Sequence, residues 1–266
     1  MSRYKSVLSI AGSDSGGCAG IQADIKSISA NGAYAATVIT ATTAQNTVGV
    51  TDIYGLPIVH IKAQLDAVLS DIEFGAVKIG MLHSKKVIEV VEERLSFYGI
   101  EKIILDPVMI ATSGDKLIND GAINALKSFF PKTYLITPNI PEAELIIGYE
   151  ITLENMEESA KEIGMKFDVS VLLKGGHLES KELMTDMLYL KETGKLVTIN
   201  NKSIDTKHTH GTGCSLSSSI ATYLALGFDL ENAVRKSCTY LNQAIEAGKD
   251  KVLGKGNGPI NHFMLS

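Results

Sequence analysis

The chain has 266 residues, 45% hydrophobic and 21% charged, which is enough to bury a large core and ordinary for a globular protein. Its formal net charge is -5, and its 25 Lys and Arg are spread along the chain rather than gathered in a basic block, which argues against nucleic acid as a partner. No apolar run approaches the ~18 residues of a membrane span, and "MSRYKSVLSIAG" reaches glycine and aspartate too soon for a signal h-region, so a cytoplasmic location without membrane contact is expected.

The first strand candidate is "SVLSIAG", and its exit, "AGSDSGGCAGIQAD" from Ala11 to Asp24, is crowded with glycines. Such a loop lets backbone approach a ligand closely, with Asp14 and Asp24 as acceptors for hydroxyl or amine groups; the plain alternative is a mobile turn before a helix. The spacing of Gly12, Gly16, Gly17 and Gly20 does not satisfy G-x-G-x-x-G, and no Walker lysine follows. "TVITATTA" and "AVKIG" read as the next strands, with helical spacing over Ile58 to Leu69 and Val87 to Leu95.

"KIILD" ends in Asp106, ahead of "PVMIATSGD". An acid at the carboxyl end of a buried parallel strand can serve a metal or phosphate site, or merely cap a turn. "YLITP" runs into "TPNIPEAELIIG", where Asn139 follows a strand and Glu142 opens a short helix, two oxygen ligands of the kind that suit a water-rich Mg²⁺ site. "VSVLLKGG" brings Lys174 to another strand end beside Gly175 and Gly176, as a point charge for phosphate or as a solvated lysine. Between Lys181 and Asn201, "MLYL" and "LVTIN" flank a "KETGK" turn and predict a hairpin, an antiparallel pair within or at the edge of the sheet.

The stretch "DTKHTHGTGCSLSSSIATYLALG" places Gly211, Thr212 and Gly213 before Cys214 and a helix. A helix N-terminus favours a thiolate, so Cys214 could act as nucleophile or base, and the glycine-rich turn could bind an anion. Zinc on His208, His210 and Cys214 lacks a fourth ligand and the usual spacing, and no G-x-S-x-G elbow exists for a hydrolase. The three cysteines, Cys18, Cys214 and Cys238, form no C-x-x-C pair, and Cys238 falls in the apolar pattern of the last helix as packing. Phosphoryl transfer is the reaction that uses the acid, amide, lysine and glycine clusters together. The alternation of strands and helices predicts one α/β domain over residues 1–266, a mostly parallel sheet with helices on both faces and its chemistry at the carboxyl ends of the strands.

Six motifs in order, "GSDSGGCAGIQAD", "KIGML", "LDPVM", "TPNIPEAE", "LLKGGH" and "HTHGTGC", resemble the hydroxymethylpyrimidine and hydroxymethylpyrimidine phosphate kinases of thiamine biosynthesis, in the ribokinase superfamily. The resemblance runs from Val7 to about Gly248. It implies a ribokinase-like three-layer sandwich, ATP as co-substrate, Mg²⁺ as cofactor, the hydroxymethylpyrimidine or its phosphate as acceptor, and a homodimer. It places Gln45 on the ring nitrogen and amino group of the pyrimidine, with Gly12, Asp24, Met81 and Val108 in the same pocket. Lys174, Asn139 and Thr212 would contact ATP, and Asp106, Asn139 and Glu142 would surround the metal. Gly211 to Gly213 would form the anion hole, with Cys214 by the acceptor hydroxyl where most of the superfamily has aspartate. Cys18 departs from the glycine or serine usual in relatives. The pyridoxal kinases of the same branch are the second reading; they resemble "DPVMVC" where this chain has "DPVMIA", so Ala111 stands in place of their thiol.

Overall fold

The computed structural model describes residues 3–109, 120–176 and 183–265, so the comparison at Ala111 lies outside the described residues. Among these are nine strands, β1 (Ser6–Asp14), β2 (Tyr34–Gln45), β3 (Val50–Gly55), β4 (Ala76–Ile79), β5 (Ile103–Leu105), β6 (Leu135–Ile136), β7 (Ser170–Leu173), β8 (Leu183–Leu190) and β9 (Lys195–Lys202). The helices are α1 (Gly20–Ala30), α2 (Ile58–Leu69), α3 (Lys85–Phe97), α4 (Asp120–Phe129), α5 (Ile140–Ile147), α6 (Met156–Phe167), α7 (Thr212–Ala225) and α8 (Leu230–Gly248). No helix among the described residues is long and apolar enough to cross a membrane.

The strands form one sheet in the order β3-β2-β1-β4-β5-β6-β7-β8-β9. From β2 to β7 all neighbours are parallel; β3 closes one edge antiparallel to β2, and the expected hairpin, β8 and β9, closes the other. Each face carries its own core. Leu8, Ile10, Val77, Ile79, Ile103 and Leu105 pack with α2 to α6, whereas Val7, Ala76, Ile104, Leu135 and Leu172 pack with α1, α7 and α8. This is the three-layer α/β architecture that the pattern predicts, and Cys238 is buried in the second core as packing.

Because successive strand side chains alternate between faces, the residues that continue Ile104, Leu135 and Leu172 by two positions share the face of α7. They are Asp106, Thr137 and Lys174. Lys78, two residues beyond Ala76, shares it too, and its side chain is fully buried.

The Lys78 ammonium pairs with both carboxylate oxygens of Asp24, at 2.8 and 2.9 Å. Asp24 also accepts from Ser9 Oγ at 2.6 Å and from Ser218 Oγ at 2.7 Å, and is wholly buried. The expectation that Asp24 is an open acceptor for a ligand is therefore corrected: its lone pairs are occupied by core donors from β1, β4 and α7. Burial works against the charge of Lys78, but Asp24, followed by Cys214 and Asp106, outweighs it and raises the lysine pKa. Removing one partner of such a pair leaves a buried charge uncompensated. Asp24→Ala is expected to cost about 3–5 kcal/mol in urea denaturation, and Asp24→Leu combined with Lys78→Met less than either change alone.

Candidate active site

The carboxyl ends of the strands meet the N-terminus of α7. Gly211, the residue before its first turn, has φ +85°, and a Cβ there would collide with the carbonyl oxygen of Cys18, so only glycine lets the β1–α1 loop lie against this turn. The first intrahelical donor is Ser215 N–H, onto Gly211 O at 2.9 Å. The N–H groups of Gly213 and Cys214 precede it at the positive end of the helix dipole. A Cβ on Gly213 would lie 3.4 Å from Asp106 Oδ2 and 3.5 Å from Lys174 Nζ, which puts both side chains beside this turn.

Asp106 and Lys174 form one unit. Asp106 Oδ1 accepts from Lys174 Nζ at 3.0 Å and from Thr137 Oγ1 at 3.0 Å, and the carboxylate is buried. Burial opposes the lysine's charge, yet Asp106 and Glu142 together raise its pKa. Asn139 pairs with Lys174 across β6 and β7 as an isolated parallel bridge. Its Oδ1 accepts from Glu142 N–H at 2.9 Å while Glu142 Oε2 accepts from Asn139 N–H at 2.9 Å, a capping box on α5. The amide oxygen expected to ligate a metal is thus engaged in holding Glu142 in place. Burial pushes the Glu142 carboxyl up to about 7, against the pull of Lys174 and with a further push from Asp106.

Cys214 is half-buried on the first turn of α7. Burial pushes its thiol up to about 11, ahead of the opposing pull of Lys78, and Asp24 and Asp106 push it the same way as burial. A hydrogen bond with Gly20 pulls weakly downward. The thiolate expected from the helix dipole is therefore outweighed by desolvation and two nearby acids. Gly20 in turn packs on Gly12 O, and a Cβ on Gly12 would lie 2.8 Å from Met81 Cε, so Gly12, Met81, Gly20 and Cys214 belong to one region. Val108 is half-buried on the loop after β5, its N–H bonded to Asp106 O at 2.8 Å.

Gln45 lies at the far end of β2, its amide 3.1 Å from His210 Nε2 and 3.0 Å from Thr43 Oγ1. Asp14 is not an open acceptor: it receives the N–H groups of Gly16, Cys18 and Ala19 at 2.8 to 2.9 Å and so shapes the glycine loop. Cys18 is buried inside that loop, its sulfur 3.7 Å from Gly16 O. His208 is committed elsewhere, accepting from Gly258 N–H at 3.1 Å. Among the described residues no cluster of His, Cys, Asp and Glu is arranged to hold a metal without other donors. Sequence reasoning missed Thr137 and Lys78, and weighed His210 only as a zinc ligand; for Lys78 a signal existed, since "AVKIG" puts a lysine where strand alternation demands burial.

Strand-end acids and a lysine under a helix N-terminus, on a three-layer sheet of this order, define a small-molecule kinase of ribokinase-like fold. Residues 14–261 match the phosphomethylpyrimidine kinase family, and the chain belongs to it. It is 45% identical to the hydroxymethylpyrimidine/phosphomethylpyrimidine kinase of Rhizobium meliloti, over 96% of each chain. It is also 45% identical, over 98% of its length, to the thiamine biosynthesis bifunctional protein of Geobacter sulfurreducens, of which it spans only 53%. Among solved structures, a phosphomethylpyrimidine kinase from Clostridium difficile is 44% identical, with a TM-score of 0.79 over 90% of this chain and 99% of that one. Bacillus subtilis pyridoxal kinase, solved as an ADP complex, superposes with a TM-score of 0.89 over 98% of each chain at 29% identity.

The state of Cys214 is directly testable. In the ligand-free protein its alkylation by iodoacetamide at pH 7.5, followed by mass spectrometry of the Cys214 peptide, is expected to be roughly a hundred-fold slower than for an ordinary thiol. The rate should keep climbing towards pH 11. A plateau reached below pH 8 would show a depressed thiol instead.

Proposed function

We propose that this chain transfers the γ-phosphoryl group of ATP to the hydroxymethyl oxygen of 4-amino-5-hydroxymethyl-2-methylpyrimidine, and then phosphorylates the monophosphate to the pyrophosphate, in thiamine biosynthesis. The observation that carries this reading is the convergence of Asp106, Lys174 and Gly213 beside the first turn of α7. The positive end of the α7 dipole lies there, and a helix N-terminus suits the negative charge of a transferring phosphoryl group. The reading includes a single catalytic domain, a cytoplasmic location and a homodimer.

In this reading the turn from Gly211 to Gly213 forms the anion hole for the phosphoryl oxygens, with the Gly213 N–H as a donor, while the Thr212 N–H is bonded to Thr209 O at 3.3 Å. The Thr212 side chain and Lys174 would contact the nucleotide phosphates. The donors near Lys174 fit Mg²⁺: two buried carboxylates, Asp106 and Glu142, lie close enough that burial and, after it, Asp106 raise the Glu142 carboxyl to about 7, and Lys174 is ion-paired to Asp106. Asp106 and Glu142 would hold the ion, with Asn139 fixing Glu142; bound there, it would neutralise charge on the transferring group. Gln45 reads the aminopyrimidine edge, since an amide donates and accepts at once, and Gly12, Met81 and Val108 line the pocket. Cys214 stands by the acceptor hydroxyl. A protonated thiol cannot take a second proton, so its sulfur accepts the hydroxyl's hydrogen bond and orients it. In a loose transition state the proton leaves late, with the transferred phosphoryl group.

Three measurements test this reading. Incubation with ATP and the free pyrimidine should yield first the monophosphate and then the diphosphate, resolved by chromatography; absence of both products would refute the assignment. Glu142→Ala should lower turnover by about a hundred-fold or more at low Mg²⁺ while leaving pyrimidine affinity within a few-fold of the parent. The pyridoxal kinase reading draws on the shared fold, so the two acceptors should be compared at equal concentration. A kcat/KM ratio of at least about a hundred in favour of the aminopyrimidine is expected, because pyridoxal leaves the Gln45 amide incompletely paired. A ratio near unity would favour the second reading.

A further inference from the structure

His210 takes no part in the phosphoryl chemistry described above, yet it is held more firmly than a loop histidine needs to be. Its N–H donates to Gly258 O at 3.1 Å, and it forms an isolated parallel bridge with Pro259. Burial lowers its pKa, with Asp14 pulling the other way, so the ring is neutral near pH 7. Its Nε2 touches the Gln45 amide, and its Nδ1 is buried with no hydrogen-bond partner among the described residues.

The Gln45 amide can sit in two orientations that exchange Oε1 and Nε2 and leave the heavy atoms in place. With nitrogen towards the histidine, Nε2 of His210 must accept, and the ring proton moves to the partnerless Nδ1. In the same arrangement the single hydroxyl proton of Thr43 faces two acceptors, Gln45 Oε1 at 3.0 Å and Ser13 O at 3.1 Å. With oxygen towards the histidine both conflicts vanish. His210 Nε2–H donates to Gln45 Oε1, Gln45 Nε2–H donates to Thr43 Oγ1, and Thr43 donates to Ser13 O. The unpaired atom is then a ring acceptor rather than a buried N–H, which is the less costly orphan. Asp14 Oδ2, 4.0 Å from His210 Nε2, also favours a proton on that nitrogen.

We propose that His210 is a positioning residue that sets substrate specificity, by locking the Gln45 amide with Oε1 towards the imidazole and Nε2 towards Thr43. The proposal rests on the reading that Gln45 pairs with the pyrimidine. It adds a direction to that pairing. The remaining lone pair of Oε1 takes the amino group on the His210 side, and the remaining N–H of Nε2 meets the ring nitrogen on the Thr43 side. The hydroxymethyl group, next to the amino group on the ring, is thereby turned towards the segment that runs from His210 to Cys214. A 4-oxo analogue presents N–H and C=O in the opposite order, so it can satisfy the locked amide only by rotating its hydroxymethyl group away.

Two measurements on the intact protein decide the matter. Nitrogen-15 NMR of the labelled protein should show His210 as the Nε2–H tautomer; an Nδ1–H tautomer would overturn the proposal. In kinetics, His210→Phe keeps a ring but frees the amide to rotate. The preference for the amino over the 4-oxo compound, as a ratio of kcat/KM, should fall by roughly tenfold or more, mostly through KM, and His210→Gln, which restores a donor, should recover part of it. An equal loss on both compounds would mean a merely structural role and overturn the proposal. Gln45→Ala separates the two levels: it should abolish the preference, and unchanged kcat/KM in that variant would reject the pocket assignment itself, whichever tautomer is found.

Discussion

The buried carboxylate of Asp24 ties together the parts on which the site depends. It sits on α1, accepts from Ser9 on β1, pairs with Lys78 on β4 and receives Ser218 from α7. A buried ion pair contributes little net stability relative to a well-packed apolar replacement, because desolvation offsets the Coulomb gain. What the three contacts supply is placement. They fix α7 against the sheet, with its N-terminus over the ends of β4, β5 and β7, where Lys78, Asp106 and Lys174 are delivered by the two-residue period of their strands. A slip of one residue in any of these strands would send its polar group into the opposite core.

The same arrangement accounts for the electrostatics of Cys214. Two acid–lysine pairs stand around it, Asp24–Lys78 and Asp106–Lys174. Each lysine is already engaged by its own carboxylate, so neither offers the unopposed positive charge that would make a thiolate, and burial decides the outcome. The helix dipole, worth a fraction of a unit charge, does not overcome the desolvation of the thiol.

The architecture was legible because its signals are local. Apolar runs at strand length, helical spacing between them and glycine at strand ends predict a parallel sheet with helices on both faces. Asp106, Asn139, Glu142 and Lys174 declare themselves by lying just beyond such runs. Less could be read of how these groups pair. That Asp24 is engaged by internal donors depends on Lys78 and Ser218, which lie 54 and 194 residues away, whereas Asp14 is engaged by backbone N–H groups of its own loop, at Gly16, Cys18 and Ala19. The β3 strand escaped notice because its residues are almost all exposed at a sheet edge and show no alternation. The capping box of Asn139 and Glu142 was visible as the spacing N-x-x-E, but that spacing is the same whether the carboxylate serves a helix or a metal.

That ambiguity is functional as well as structural. The described groups around the first turn of α7 comprise two ammonium and three carboxyl groups, so this region is not a positive funnel of the kind that captures a free polyphosphate by charge alone. Lys174 can turn from Asp106 to a phosphate only if something else neutralises the two acids, and the counter-cation that accompanies a nucleotide is the natural candidate in the proposed reaction. In the proposed reaction the acids would favour the neutralised complex: nucleotide without its cation would meet repulsion from Asp106 and Glu142, and with them neutralised Lys174 would be released to the phosphates. Holding Glu142 by its own backbone-capping contacts keeps this acid in place before anything binds, so the cost of organising the site is met during folding rather than during catalysis.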